Sequence, residues 1–311
     1  MDLAPVESIE NFLETPLWIK IWEQKIQHIA VFSVLLITII LVMVLKDRLS
    51  QRKNILNILR YTILIISFVY VGLILKAQPT TTNIIIILNS LKDLQFPMGL
   101  FLLEPYIFLS FVFIFLTMFI WGRGLFCGWL CPYGAMVELL SKVHQKIFPK
   151  LIFSLPVKIH TKLIYLKYAI FLVIVGVSFY SFMLSEYLTE IEPFRTFVLK
   201  LNRQWHFTLY FIILTLGSLV IYRAFCRYLC PLGAALAFPS LIKKIPFIKM
   251  KRYDFCKTCK ICARDCTPQA IMPSGQINSR ECLNCLDCQV NFWDDRTCPV
   301  LIKRKKQVGS S

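Results

Sequence analysis

The sequence predicts an all-α polytopic membrane protein of about five transmembrane helices, containing two pseudo-repeated hairpins, with a C-terminal two-cluster ferredoxin-like α+β module. Three observations carry that expectation. Of the 311 residues, 57% are hydrophobic and only 17% charged, and the mean hydropathy is +0.62, well outside the range of soluble domains. Five apolar runs approach the length of a bilayer crossing. All twelve cysteines fall in four short motifs, and the last eight carry iron–sulfur spacing.

The chain divides into an N-terminal segment with the start of an interfacial helix (1–25), a transmembrane domain (26–250) and a cluster domain (251–311). The opening residues carry Asp2, Glu7, Glu10 and Glu14 and no basic cluster, so they do not read as a cleavable signal peptide. Thr15 and Pro16 read as a helix N-cap and first helical residue, with Trp18 and Trp22 at the membrane interface.

The apolar runs are 29–45, 61–77, 106–122, 163–184 and 207–222; a sixth, 84–91, is too short to cross and is expected to be interfacial or re-entrant. Basic residues set the orientation. Lys46, Arg48, Arg52, Lys53 and Arg60 separate runs one and two; Arg123, Lys142, Lys146, Lys150, Lys158 and Lys162 separate runs three and four. The positive-inside rule puts both loops in the cytoplasm, the N-terminus in the periplasm, and the tail in the cytoplasm behind Lys243, Lys244, Lys249, Lys251 and Arg252. A net charge of +17 raises the question of nucleic acid, but the cations flank apolar runs and no nucleic-acid fold signature accompanies them, so none is expected as a partner.

Two halves of the membrane domain repeat. Glu104-Pro105-Tyr106 precedes run three, which ends in Phe126-Cys127-x3-Cys131-Pro132; Glu192-Pro193-Phe194 precedes run five, which ends in Phe225-Cys226-x3-Cys230-Pro231. Two helical hairpins related by pseudo-symmetry are expected, with a site at their interface. On a continuous helix, residues i and i+4 share a face, so Cys127, Cys131, Cys226 and Cys230 can together present four thiolates. Iron–sulfur and copper(I) both suit such soft ligands. The alternative is a pair of buried or redox-active dithiols, with Pro132 and Pro231 ending helices.

The tail reads Cys256-x2-Cys259-x2-Cys262-x3-Cys266, then Cys282-x2-Cys285-x2-Cys288-x9-Cys298-Pro299. In two-cluster ferredoxins three cysteines of one run and the last of the other share a cluster. That pattern assigns Cys256, Cys259, Cys262 and Cys298 to one 4Fe-4S cluster, and Cys282, Cys285, Cys288 and Cys266 to the second. Zinc also takes four-cysteine sets, but three cysteines at successive x2 spacing favour clusters. Such closely spaced thiols point to a reducing compartment. Residues 289–297 should loop over the second cluster.

His28, His144, His160 and His206 show no helical pairing and read as interfacial or solvent histidines rather than haem ligands. Lys167, inside run four, is expected to snorkel. Glu104, Glu186, Glu190 and Glu192 read as solvated loop charges.

The stretches Trp121-Gly-Arg-Gly-Leu-Phe-Cys-Gly-Trp-Leu-Cys-Pro132, Phe225-Cys-Arg-Tyr-Leu-Cys-Pro-Leu-Gly-Ala-Ala-Leu-Ala237 and Glu281-Cys-Leu-Asn-Cys-Leu-Asp-Cys-Gln-Val290, the last followed by Asp294-Asp295 and Cys298-Pro299, resemble the NosR/NirI family. The resemblance runs from about Pro16 to Ile302. It implies a bacterial inner-membrane protein supporting nitrous oxide reductase by electron delivery and copper-site assembly, with the eight tail cysteines as cluster ligands. Full-length members carry a periplasmic flavin-binding domain before the first helix; nothing here corresponds to it, so FMN is not expected on this chain and a separate flavoprotein subunit would have to bring it. The implied partners are the bilayer, the quinone pool or a cytoplasmic donor, and a periplasmic copper enzyme. Electron transfer ranks first; copper handling by the membrane thiols and redox-responsive regulation are the alternatives.

Overall fold

A computed structural model describes residues 16–92, 98–151, 153–199, 201–238, 250–253, 255–272 and 274–308. Residues 1–15, with their acidic cluster and Thr15, and the loop cations Lys243, Lys244 and Lys249 lie outside the described residues. The molecule is helical, and the only β pairing among the described residues is one bridge, Ile271 with Ile277. The α+β expectation for the tail therefore reduces to helical turns and loops. Short helical turns interrupted by left-handed residues occupy the cysteine runs, at Cys256–Cys259 and Ile261–Arg264 for example.

Pro16 occupies the N-cap of α1 (Leu17–Gln24), where Trp22 donates its indole N–H to the Leu102 carbonyl at 2.8 Å. Then come α2 (Ile26–Val44), α3 (Lys53–Ile74) and α4 (Thr81–Lys92). Helix α5 (Pro105–Trp121) starts on proline, which needs no amide partner in the first turn, and stops at Gly122, whose φ of 73° takes the chain out of the helix. Next are α6 (Pro132–Ile147), α7 (Val157–Tyr180), α8 (Trp205–Val220), α9 (Ala224–Tyr228) and α10 (Pro231–Ala235). Among the described residues, three helices are long and apolar enough to cross a membrane: α2, α3 and α7, of 19, 22 and 24 residues. The other two expected spans, α5 and α8, have 17 and 16 residues. The run 84–91 lies within α4, a 12-residue apolar helix.

The last part of α3, Ser67–Ile74, is wound as a π-helix. Its Ser67 hydroxyl donates to the Trp129 carbonyl at 2.8 Å, and Gly72 lies so close to Pro132 that a Cβ there would come within 2.8 Å of the proline's own Cβ. The core sits between the repeated hairpins. Tyr133 packs on Phe194 and Phe225 at centroid distances of 5.3 and 5.7 Å, and Phe194 meets Phe225 edge-on. These residues and Trp129 are buried, so the two cysteine-proline turns are held by an aromatic core.

Candidate metal and redox centre

The cysteine-proline turns are helix breaks rather than helix faces. Phe126–Leu130 is a π-turn, Cys131 leaves it with ψ 115°, and Pro132 begins α6; Cys230 and Pro231 likewise begin α10. The prolines thus start helices instead of ending them, and the two thiols of a pair converge because the chain turns between them. The Sγ of Cys131 accepts from the Gly134 amide at 3.5 Å, and that of Cys230 from the Gly233 amide at 3.2 Å. Cys127, Cys131, Cys226 and Cys230 all line one enclosed cavity with Arg123, Phe194, Arg227 and Leu283.

The tail repeats one device. In each Cys-x2-Cys-x2-Cys run the residue after the second cysteine is left-handed: Lys260 with φ 56° and Leu286 with φ 67°. That reversal curls the backbone so that thiols on both sides of it face the same space. Cys256, Cys259, Cys262 and Cys298 surround one cavity; Cys266, Cys282, Cys285 and Cys288 line a second, and Cys262 and Cys288 border both. No disulfide joins any of the twelve cysteines. Burial pushes the Cys262 thiol up to about 11 and that of Cys288 to about 12. A metal must therefore displace protons to bind.

The donor sets fit iron–sulfur clusters. Five cysteines line each tail cavity, two of them shared, and four line the membrane cavity; the volumes are alike, about 30, 30 and 20 Å³. Among the described residues, no three His, Cys, Asp or Glu groups close tightly enough to hold a single ion. The thiols stand around a space, as a multi-atom core requires.

Five groups that read in the sequence as topology signals, snorkelling or solvent-facing side chains, Arg60, Arg123, Lys167, His160 and Glu192, are buried and structural instead. Glu138, 1% exposed, joins Arg60 and Arg223, each at 2.5 Å, and accepts from the Tyr222 hydroxyl at 3.0 Å. Glu281, 2% exposed, joins Arg123 at 2.8 Å and Lys167 at 2.6 Å. Lys167 is fully buried and does not snorkel. His160 is also buried, its Nδ1 2.9 Å from both the Tyr228 hydroxyl and an Arg227 nitrogen. Glu192 is enclosed as well, held by the backbone amide and hydroxyl of Thr81, and burial raises its carboxyl to about 7. Glu186 and Glu190 remain partly exposed and pair with Arg195.

The same network docks the tail on the membrane domain. Arg60 donates to the Cys285 carbonyl and Arg123 to that of Arg280; Trp129 donates to the Asn284 carbonyl at 3.0 Å, and the Asn284 amide to that of Trp121 at 2.9 Å. Gly124 and Gly128 permit the contact, since a Cβ on either would fall within 2.3 Å of the Cys282 carbonyl oxygen or 2.1 Å of the Leu283 one. Leu283 consequently borders both the second tail cavity and the membrane cavity. The second tail cavity thus shares wall residues with each of the other two. A larger opening of about 450 Å³ lies beside Cys266, walled by His160, Tyr222, Arg227 and Gln269 and reached past the exposed Phe153 and Val157.

Comparison with known proteins agrees with this chemistry. The family profile NosR matches residues 254–309, and a 4Fe-4S binding domain profile matches 103–150 and 205–248, the two hairpins. The regulatory protein NosR of Stutzerimonas stutzeri is 37% identical over 98% of this chain and 41% of its own length. Protein NirI of Paracoccus denitrificans is 38% identical over 94% of this chain and 43% of its own. A NosR sequence from Pseudomonas aeruginosa is 48% identical over 27% of this chain and 83% of its own length. The chain thus spans about two fifths of the long curated relatives it matches. No solved structure matches it.

Proposed function

Because the chain belongs to the NosR/NirI family, an iron–sulfur membrane protein family related to electron-transport proteins, we propose that it carries electrons through two tail clusters in support of nitrous oxide reductase activity or maturation. The observation that carries this reading is the pair of adjoining cavities, one lined by Cys256, Cys259, Cys262 and Cys298, the other by Cys266, Cys282, Cys285 and Cys288. Each set holds a 4Fe-4S cluster, whose chemistry is reversible one-electron transfer. Left-handed Lys260 and Leu286 orient the thiols, and the sharing of Cys262 and Cys288 between cavity walls keeps the two centres adjacent. The opening beside Cys266 gives a quinol or soluble donor an approach to the second centre.

The membrane domain (26–250) crosses five times, with 1–25 on the periplasmic side and 251–311 in the cytoplasm. Support for α5 and α8 as crossings comes from their exposed apolar residues, Val112, Phe115, Leu116 and Phe119 on one and Leu209, Ile212, Ile213 and Leu216 on the other, which suit lipid and not water. The acceptor is a periplasmic copper enzyme, reached directly or through a flavoprotein subunit.

The test is anaerobic purification with iron, sulfide, zinc, copper and flavin analysis and paramagnetic resonance of the reduced protein. Cys259→Ser and Cys285→Ser should each remove about four iron and alter one paramagnetic signal. Zinc in place of iron at these cysteines overturns the electron-transfer reading.

A further inference from the structure

Arg60 and Arg223 meet the carboxylate of Glu138, and Arg123 and Lys167 meet that of Glu281, all at 2.5–2.8 Å. Arg227, only 4% exposed, has no such partner among the described residues. Its hydrogen bonds go to neutral acceptors: Nδ1 of His160 at 2.9 Å, Oε1 of Gln269 at 2.6 Å and the Tyr222 carbonyl at 3.4 Å. These leave part of the guanidinium unused, and its buried Nε has no acceptor. Glu281 and Cys266 act on it through space, but Glu281 is already shared by two cations. A guanidinium does not shed its charge, so a buried one short of both an anion and an acceptor is costly.

Arg227 stands in the wall of the opening of about 450 Å³ beside Cys266, where Gln145, Ser154 and Thr267 supply further hydrogen-bonding side chains. The charge of that wall is positive. Asp265 pairs with Arg264 at 3.6 Å, which leaves Arg227 and Lys260. His160 adds no charge, because an arginine can only donate and Nδ1 must therefore be the accepting, unprotonated nitrogen. The mouth is apolar on one side: Phe153 and Val157 belong to the wall and are 55% and 46% exposed, and Phe148 and Leu151 are exposed just before them in the chain. Val157 opens α7, one of the helices long and apolar enough to cross a membrane, so the mouth lies where that helix meets the bilayer surface. A cationic, hydrogen-bonding floor under an apolar mouth is the complement of an anionic amphiphile.

We propose that this opening binds the phosphate headgroup of an anionic membrane lipid, whose oxygens accept from Arg227 and face Lys260 while its acyl chains leave over Phe153 and Val157. A guanidinium matches phosphate oxygens in geometry and gives up little hydration to reach them. Basic pockets at the ends of membrane helices are where such headgroups are held. The site goes beyond the electron-transfer reading, since the lipid is bound and not oxidised. Because the same opening is the approach to Cys266, a donor reaches that centre only as the headgroup leaves.

The test uses the full chain, purified anaerobically with its iron retained and stripped of lipid in neutral detergent. Short-chain phosphatidylglycerol should bind saturably, and phosphatidylcholine of the same chain length about tenfold or more less tightly. Arg227→Gln should weaken phosphatidylglycerol binding about tenfold or more, and Arg227→Lys should weaken it less. Val157→Asp should weaken it too with the guanidinium intact; it sets a carboxylate at the mouth, in a helix first turn that suits one, and so tests the site even if Arg227→Gln fails to fold. The proposal is overturned if the two lipids bind alike, if either folded variant binds phosphatidylglycerol as the native chain does, or if inorganic phosphate displaces the lipid as well as phosphatidylglycerol itself does, which would make free phosphate the ligand. Each of those outcomes leaves the iron and the paramagnetic signals of the tail in place. Zinc in place of iron at the tail cysteines would defeat the electron-transfer reading and leave this site standing.

Discussion

Lys167 reaches Glu281 across 114 positions of sequence, Arg123 reaches the same carboxylate across 158, and Arg60 reaches Glu138 across 78. Those separations explain why these charges were not legible as partners. A basic residue beside an apolar run fits headgroups and an internal carboxylate equally well, and only tertiary contact distinguishes them. The cysteines were legible because each ligand's neighbours lie within a few positions. Lys167→Met should leave Glu281 with one partner and destabilise the protein by about 3–5 kcal/mol, read as the unfolding midpoint in detergent. Glu192 belongs to this scale too. Burial raises its carboxyl from the ordinary 4.5 to about 7, so the folded state holds the proton more tightly. Its contribution favours folding below about pH 4.5 and declines as pH rises through 7. Glu192→Gln should flatten the thermal midpoint across that window relative to the native chain, and an unchanged slope would count against a buried neutral acid.

At the scale of the element, five apolar runs became five helices, but two features of their ends were hidden. The cysteine-proline pairs read as one helical face, whereas the chain breaks between Cys127 and Pro132 and restarts. Proline fits an end or a first turn equally well, and the aromatic core around Tyr133 decides in favour of the first turn. The π-wound end of α3 was likewise not visible, because its sequence is as apolar as the α-helical part. Gly72→Ala would drive a methyl into Pro132 and Phe197, at 2.8 and 2.9 Å, and should cost about 1–3 kcal/mol, measured as loss of thermal stability. In the tail, Lys260 is exposed and left-handed. Lys260→Gly should stabilise the loaded protein by up to about 1 kcal/mol, whereas Lys260→Val should lower cluster retention on dilution.

For the whole molecule, the sequence separates a membrane domain from a cluster domain, and the structure joins them through Trp121–Trp129 and 280–285. That junction escaped sequence reading because Gly124 and Gly128 look like ordinary loop glycines until Cys282 and Leu283 approach them. Gly128→Ala should separate the domains without emptying the tail: iron at the tail cysteines stays, while limited proteolysis at the junction rises several-fold. Reporter fusions at the tail and at the 76–105 loop should place those segments on opposite sides of the membrane; the same side for both would overturn the five-crossing topology.

The position of Glu281 also sets an order in time. This carboxylate is made after every helix of the membrane domain, next to the ligand Cys282, yet it is the partner of Arg123 and Lys167 inside that domain. Until the tail has folded and docked, a newly inserted chain holds two cations with no counterion. Completion of the membrane part therefore waits on the last segment synthesised, and a chain whose tail fails to fold would betray itself to quality control through instability in the bilayer.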